Sequence, residues 1–243
     1  MLLNAVNSFS FCRRDDDPKY SFDQLSAMIR LAHKYGVQAL QDQAIFCLRQ
    51  SYYTHHADLY LEEGHTRGDV DIKPVHSIGA VNLARLTGTA SILPVALYDC
   101  CRLGESLLDG WKRDDGEVEY LSAADVRLCF GARERLAVEG YKRFVRIFDK
   151  RSEKCKTPND CPARLSGFLC HVARDASPIP LSPLTALANY KDCIPAISKV
   201  RQVCPECDKE LKTRNEKERK DMWKKLPEMF GIKLPEWEGA PAT

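Results

Sequence analysis

The sequence lacks any run of about 20 consecutive apolar residues, so we expect no membrane-spanning helix. It also lacks a strong charge of one sign. Its 36 basic and 34 acidic residues leave a net charge of +2, too little for the whole chain to attract nucleic acid or an acidic membrane. The apolar stretch at residues 1–12 has no basic leading region, which argues against a signal peptide. These absences together predict a protein of the cytoplasm or the nucleus.

Motifs of common enzyme classes are missing too. The chain has no phosphate-binding glycine loop, no G-x-S-x-G turn and no H-E-x-x-H helix, so we expect a non-catalytic protein. No segment shows the alternating pattern of a half-buried strand. With 243 residues, 44% of them hydrophobic, the chain can still bury a sizeable core. The predicted fold is therefore mainly α, an irregular multi-helix assembly with little or no sheet.

Apolar residues with helical spacing predict a helical hairpin near the N-terminus. Its first helix starts after Ser21 or Asp23 as a cap, and Gly36 suits the left-handed end of that helix. Two further helices are expected over residues 74–86 and 91–102, and the stretch 108–120 is expected to be a loop. The apolar face of the hairpin must be covered, either by the helices over residues 74–150 or by a partner chain.

A long helix is predicted to begin at Ser122, which can cap the amide of Asp125, and to run to about Lys150. Its arginine- and glutamate-rich face is expected to face solvent. The residues expected to face the core are Val126, Cys129, Phe130, Leu136, Ala137, Tyr141, Phe144, Val145 and Phe148.

The eleven cysteines are odd in number, and Cys100 and Cys101 are adjacent, which suits reduced thiols better than a disulfide framework. Cys204-x-x-Cys207 can present two sulfurs to one ion from a tight turn, and Cys155-x5-Cys161 is a looser second pair. The sequence thus predicts a zinc site of Cys155, Cys161, Cys204 and Cys207 that staples the C-terminal segment. Three residues could substitute for a ligand: Cys170, His171 and Cys193.

Two other interpretations of this region stay open, besides ordinary reduced thiols. Cys204-Pro-Glu-Cys207 before a helix is also typical of thiol-disulfide oxidoreductases, although these place the motif after a buried strand. Residues 209–225 form a charged helix with a basic excess, which would suit a nucleic-acid-binding zinc protein. The acidic residues interleaved in that helix weaken this alternative.

Several motifs resemble a known family. The stretch Leu31-Ala32-His33-Lys34-Tyr35-Gly36-Val37-x-x-Leu40 resembles the closing helices of BTB/POZ domains. With six later motifs, the chain as a whole looks like the BTB domain-containing proteins of mushroom-forming fungi. These motifs are Val81-Asn82-Leu83-Ala84-Arg85, Leu93-Pro94-x-Ala96-Leu97-Tyr98-x-Cys100-Cys101, Leu108-Asp109-Gly110, Leu121-Ser122-x-x-Asp125-x-Arg127, Arg133-Glu134-Arg135-Leu136 and Trp223-x-x-Leu226-Pro227-x-x-Phe230-Gly231.

The resemblance implies a protein-interaction scaffold or adaptor with an unidentified protein partner. Residues 1–52 would be a BTB remnant, residues 53–150 a helical middle region and residues 151–243 a cysteine-containing helical region. The part of a BTB domain that comes before its closing hairpin is not expected in this chain. Cullin-3 binding by BTB adaptors uses a helix of that part, so we do not expect the chain to serve a cullin-type ligase.

Overall fold

A computed structural model describes residues 20–52, 70–174, 186–190, 194, 203–234 and 237. In this part of the chain the fold is mainly α, as predicted, with only two-residue strands. The α-helices are α1 (Phe22–Tyr35), α2 (Gln38–Tyr52), α3 (His76–Thr87), α4 (Leu93–Arg102), α5 (Ala123–Phe148), α6 (Cys161–Arg174), α7 (Pro205–Lys224) and α8 (Leu226–Met229). The strands are β1 (Tyr20–Ser21), β2 (Val70–Asp71), β3 (Trp111–Lys112) and β4 (Val118–Glu119). Short 3₁₀ turns cover Ala90–Ile92 and Gly104–Leu108.

The chain divides into two compact units. The first comprises Met1–Cys129 and Phe230–Thr243, and the second comprises Phe130–Met229. These units are defined by spatial contacts, whereas the boundaries at residues 52 and 150 come from the sequence pattern and the family resemblance. The three predicted segments therefore stay a prediction.

The predicted helical hairpin is confirmed in the first unit. Ser21 caps α1 with its side chain, accepting from the Gln24 amide at 3.1 Å, while the Gln24 side chain accepts from the Ser21 amide at 3.0 Å. Gly36 ends α1 with φ at 66°, in the left-handed region that glycine adopts without a steric penalty. Both helix ends thus follow from local residue chemistry.

Helix α3 covers part of the hairpin's apolar face. Phe22 of α1 stacks on His76 at a ring-centroid distance of 4.6 Å and meets the edge of Trp111 at 5.0 Å. A Cβ on Gly79 would lie 2.5 Å from Trp111 Cζ3 and 2.7 Å from Phe22 Cε1, so only glycine allows this approach. The sequence pattern predicted that helices within residues 74–150 would cover this face.

The loop predicted for residues 108–120 is only partly correct. Trp111 and Lys112 pair antiparallel with Glu119 and Val118 as β3 and β4. Strands this short leave no alternating pattern to read, and the pairing depends on backbone hydrogen bonds of the turn, such as that from Arg113 N to Glu117 O at 2.9 Å. Strands β1 and β2 pair in parallel and were not predicted either.

Helix α5 begins as predicted and ends two residues before the expected Lys150. Ser122 Oγ accepts from the Asp125 amide at 3.1 Å. Two of the residues expected to face the core do not, because Phe130 is 55% and Tyr141 is 41% exposed. The buried positions of the helix include small and charged residues that the apolar pattern does not count: Asp125, Ala132, Gly140 and Arg143.

Helices α6 and α7 belong to the second unit. Proline is common in the first turn of a helix, which predicts helices that start near Pro162, Pro183 and Pro195. Pro162 does lie in the first turn of α6, and Leu165 of that helix is fully buried. Met222 and Trp223 are buried at the end of α7. The helices predicted from Pro183 and Pro195 lie outside the described residues.

Buried polar side chains attach residues 186–190 to the helices of the second unit. Arg143, which the sequence did not place among the core residues of α5, is fully buried and donates to Ala188 O at 2.6 Å. Its guanidinium lies 4.8 Å from the ring centroid of Tyr190. Asn215 of α7 accepts from the Tyr190 amide at 3.2 Å. The Ala188 carbonyl and the Tyr190 ring both stabilise this buried guanidinium.

Among the residues described, no helix combines the length and apolar character required to cross a membrane.

Candidate metal centre

Four cysteines from three places in the second unit meet at one point. Cys155 lies in the non-helical stretch between α5 and α6, and Cys161 is the first residue of α6. Cys204 is the N-cap of α7, and Cys207 lies in its first turn. These are the four residues that the sequence assigned to a zinc site.

The sulfur positions match the spacing of a four-coordinate metal site. All four Sγ atoms lie within 4.8 Å of one another, and Cys155 Sγ and Cys204 Sγ are 3.8 Å apart. A tetrahedron with metal–sulfur bonds of about 2.3 Å has sulfur–sulfur edges of about 3.8 Å. The four cysteines are therefore close enough to bind a single metal ion.

The site is built into the edge of an apolar core. Cys161, Cys204 and Cys207 are buried, whereas Cys155 is partly exposed. The surrounding core includes Phe148, Leu165, Val203 and Leu211. Water therefore reaches this cluster mainly on the Cys155 side.

Backbone amides donate to three of the sulfurs. Ser152 N–H donates to Cys207 Sγ at 3.3 Å, Lys156 N–H to Cys204 Sγ at 3.4 Å, and Cys204 N–H to Cys161 Sγ at 3.3 Å. Hydrogen bonds to an ionised group favour its charged form, so these amides stabilise thiolates. A metal site requires thiolates, because the thiol form does not coordinate.

Helix ends add to this positive environment. Cys161 begins α6, and Cys204 and Cys207 lie at the N-terminus of α7, where Pro205 occupies the first turn. Unpaired amides give a helix N-terminus a partial positive charge, which stabilises nearby anions. Two helices thus direct the same end toward the four sulfurs.

The thiol pKa values show how the cluster distributes charge. Burial alone would raise the pKa of Cys204, but hydrogen bonds from the amides of Lys156 and Cys207 and from the neighbouring thiols outweigh it and lower the pKa to about 6. Burial, followed by the neighbouring sulfurs, raises the pKa of Cys207 to about 12, although the Ser152 amide opposes this rise. Several adjacent thiolates repel one another, so full ionisation of the cluster requires a bound cation.

The predicted substitutes for a ligand do not join this cluster. Cys170 and His171 are exposed on α6 and are not part of the four-sulfur group. Cys193 lies outside the described residues. The strand that an oxidoreductase would require before Cys204 cannot be compared either, because residues 195–202 lie outside the described residues.

Sequence reasoning missed the groups that support the cysteines. The amides of Ser152 and Lys156 act through the backbone, so their residue types give no signal. Thr157 Oγ1 lies 2.9 Å from Cys161 Sγ, a contact between positions four residues apart that only the folded turn reveals.

Arg214 of α7 donates to the carbonyls of Lys150 and Arg151, just before Ser152. A charged helix pattern suggests solvent exposure for Arg214 and hides this role.

Comparisons with protein-family models, with curated proteins and with solved structures give no match for this chain. The BTB resemblance therefore remains a prediction from the sequence motifs.

Proposed function

We propose that Cys155, Cys161, Cys204 and Cys207 bind one structural zinc ion. The single observation that carries this proposal is the mutual approach of the four sulfur atoms within 4.8 Å. Four thiolates in a tetrahedral arrangement select zinc or iron among biological metals. Zinc is the proposed ion because isolated structural sites of this ligand set are commonly zinc sites.

The proposed ion would join the stretch after α5 to the first turns of α6 and α7. Cys155 and Cys204 are separated by 49 positions in the sequence, so the ion would close a long loop. Structural zinc contributes about 10–16 kcal/mol of apparent binding free energy in small zinc domains. A contribution of that order would decide whether the second unit folds.

The protein that carries this site is proposed to be a non-catalytic interaction scaffold of BTB-related type. Four protein ligands complete the coordination of zinc and leave no position for substrate or water, as catalytic zinc sites require. The family motifs in Leu31–Leu40 and the later segments supply the proposed lineage. The partner is proposed to be another protein, which binds the helical surface.

A thiol-disulfide oxidoreductase is the second candidate. The lowered pKa of Cys204 at the N-terminus of α7 favours it, because such enzymes use a low-pKa thiolate in this position. Its burial opposes the assignment: Cys204 is 6% and Cys207 is 1% exposed, and an attacking thiolate must reach a substrate disulfide. A structural zinc site would also benefit from the lowered pKa of Cys204, and it does not require that a substrate reach the sulfur.

A nucleic-acid-binding zinc protein has weaker support. On α7, Lys212 pairs with Asp208 at 2.7 Å, and Arg214 pairs with Glu210 at 3.1 Å. Arg146 of α5 similarly pairs with Glu218 at 2.9 Å. These acidic partners reduce the positive potential that phosphate binding needs.

Metal analysis of the purified protein tests the proposed site. We expect one zinc per chain by inductively coupled plasma mass spectrometry, and loss of most of this zinc in Cys161→Ser and Cys207→Ser. Cys170→Ser is the matched control, because Cys170 is an exposed cysteine outside the cluster. Metal-free wild-type protein with a reversible disulfide between Cys204 and Cys207 would instead support the oxidoreductase.

The interaction role needs a separate measurement. Chemical crosslinking followed by affinity capture and mass spectrometry should recover a defined protein partner. The same capture with Cys207→Ser should recover less of that partner, because the variant loses the proposed zinc and the fold of the second unit. Recovery of no protein above a control bait would contradict the scaffold proposal.

A further inference from the structure

The four cysteine residues differ in their exposure. Three are buried in the core of the second unit, while Cys155 is partly exposed. Cys155 also lies outside helical structure, in the stretch between α5 and α6. An oxidant from solvent would therefore reach Cys155 before the other three cysteines.

The sulfur of Cys204 is in direct contact with that of Cys155. Their Sγ atoms are 3.8 Å apart, whereas a disulfide requires about 2.05 Å. The difference of about 1.8 Å is small for a residue outside regular secondary structure. Cys204 is held as the N-cap of α7, so Cys155 would make most of the movement.

We propose that hydrogen peroxide oxidises Cys155 and Cys204 to a disulfide and thereby releases the zinc ion. This inference rests on the proposed function, because it requires the metal site. It makes the second unit responsive to redox conditions: the reduced cluster binds the ion, and the oxidised cluster retains only Cys161 and Cys207 as ligands. Two thiolates are too few for a stable structural zinc site.

The proposed chemistry balances in two steps. The Cys155 thiolate attacks one oxygen of hydrogen peroxide, which breaks the O–O bond, forms Cys155 sulfenic acid and releases hydroxide. The Cys204 thiolate then attacks the sulfenic sulfur, which forms the S–S bond, breaks the S–O bond and releases a second hydroxide. Each hydroxide then takes one proton from the buffer acid and becomes water. Two thiolates have lost two electrons, and peroxide has been reduced to two waters.

The test uses the zinc-loaded full chain. Hydrogen peroxide is added, and released zinc is followed with the chromophore 4-(2-pyridylazo)resorcinol. We expect release of one zinc per chain, and peptide mass spectrometry of the product should identify a Cys155–Cys204 disulfide. Dithiothreitol with added zinc should restore the loaded protein, because a disulfide is reversible whereas sulfinic acid is not.

Two variants isolate the role of Cys155. Cys155→His retains a zinc-binding ligand set of three cysteines and one histidine, and it removes the sulfur of the partly exposed residue. We expect its peroxide-driven zinc release to be slower by about tenfold or more, because only buried sulfurs remain. Cys170→Ser removes an exposed thiol outside the cluster and should release zinc at the wild-type rate.

Specific results would overturn the inference. These are equal release rates in Cys155→His and wild type, a disulfide that omits Cys155 or Cys204, or no release from the zinc-loaded protein. If Cys155→His does not hold zinc, the disulfide identified in wild type decides the question by itself. Failure of the proposed function looks different, because wild-type protein would then contain no zinc before peroxide is added.

Discussion

Cys155 and Cys204 bring their sulfur atoms to 3.8 Å although 49 positions separate them in the sequence. This approach depends on two neighbouring features, the turn that carries Cys155 and the N-terminus of α7 that carries Cys204. The Lys156 amide, which follows Cys155 directly, donates to Cys204 Sγ at 3.4 Å. The backbone thus places the two cysteines side by side.

Removal of the proposed zinc should unfold the second unit selectively. A chelator strong enough to compete for zinc should increase amide hydrogen exchange in α6 and α7, because both helices start at cysteine ligands. Exchange in α1 and α3 of the first unit should change little. Hydrogen-exchange mass spectrometry with and without chelator measures both. Unchanged exchange in α6 and α7 after complete zinc removal would show that the metal does not hold these helices.

Arg214→Ala should weaken zinc binding without removing a ligand. Arg214 donates to Lys150 O and, at 3.2 Å, to Arg151 O, so it holds the backbone that leads to the Ser152 amide. Both hydrogen bonds are exposed, so water can replace the donor, and the loss should be that of two ordinary hydrogen bonds, about 0.5–1.5 kcal/mol each. Competition with a chromophoric chelator measures the zinc affinity, which should fall by about tenfold or more, since 1.4 kcal/mol is about tenfold.

Lys212→Ala is the matched control on the same helix. Lys212 is half exposed and pairs with Asp208 at 2.7 Å, an arrangement worth about 0.5 kcal/mol or less. Its zinc affinity should remain close to that of wild type. An equal loss of affinity in the two variants would assign the effect to charge alone rather than to the Arg214 contacts.

Gly79→Ala should destabilise the first unit. The added Cβ would lie 2.5 Å from Trp111 Cζ3 and 2.7 Å from Phe22 Cε1, and both rings are buried. Overpacking of this kind costs about 1–3 kcal/mol. Thermal unfolding should show a lower Tm for the variant. A Tm at or above the wild-type value would mean that the rings move aside without cost.

Gly167→Ala, the same substitution at another position, should instead raise stability. Gly167 lies inside α6, and a Cβ there would meet no atom within 4 Å. Alanine should stabilise that helix by about 0.5–1 kcal/mol because glycine loses more backbone entropy on folding. Urea unfolding followed by circular dichroism should show a higher midpoint, and a lower one would contradict the open surroundings of this site.

His76 should titrate below the ordinary histidine pKa of about 6.5. Burial lowers the pKa of His76, and nearby Lys73 lowers it further, against the opposing effect of Asp23. The Lys73 amide also donates to His76 Nδ1 at 3.0 Å, which requires an unprotonated Nδ1. NMR titration of the imidazole Cε1–H signal, assigned by its absence in His76→Gln, measures the pKa.

The sign of the linked stability follows from that direction. Because the folded pKa is lower, the unfolded chain binds more protons, and stability is fully present above about pH 6.5 and is lost as the pH falls toward the folded pKa. On acidification, the Tm of wild type should therefore fall more than the Tm of His76→Gln. A His76 pKa at or above the ordinary value would contradict this account.

Local residue chemistry predicted much of the fold. Gly36 and the Ser122 cap mark helix boundaries, because each supplies a backbone conformation or an acceptor that the helix end requires. Phe130 and Tyr141 were placed wrongly because apolar periodicity alone cannot show which of two faces the rest of the chain covers. Arg143 was missed because its burial depends on the distant carbonyl of Ala188.

The four cysteines of the candidate site were predictable from the sequence, but the groups that support them were not. Cysteine spacing indicated Cys155, Cys161, Cys204 and Cys207, since sulfur chemistry belongs to the residue type. The amide donors to the sulfurs and the Arg214 contacts arise from tertiary structure, and their residue types do not indicate them. Residues that act through the backbone leave no pattern in a single sequence.

Zinc K-edge X-ray absorption of the purified protein tests the central claim most directly. The account predicts four sulfur scatterers at about 2.3 Å from one zinc ion per chain. A spectrum with nitrogen or oxygen in place of any of these sulfurs, or protein purified without bound metal, would contradict it.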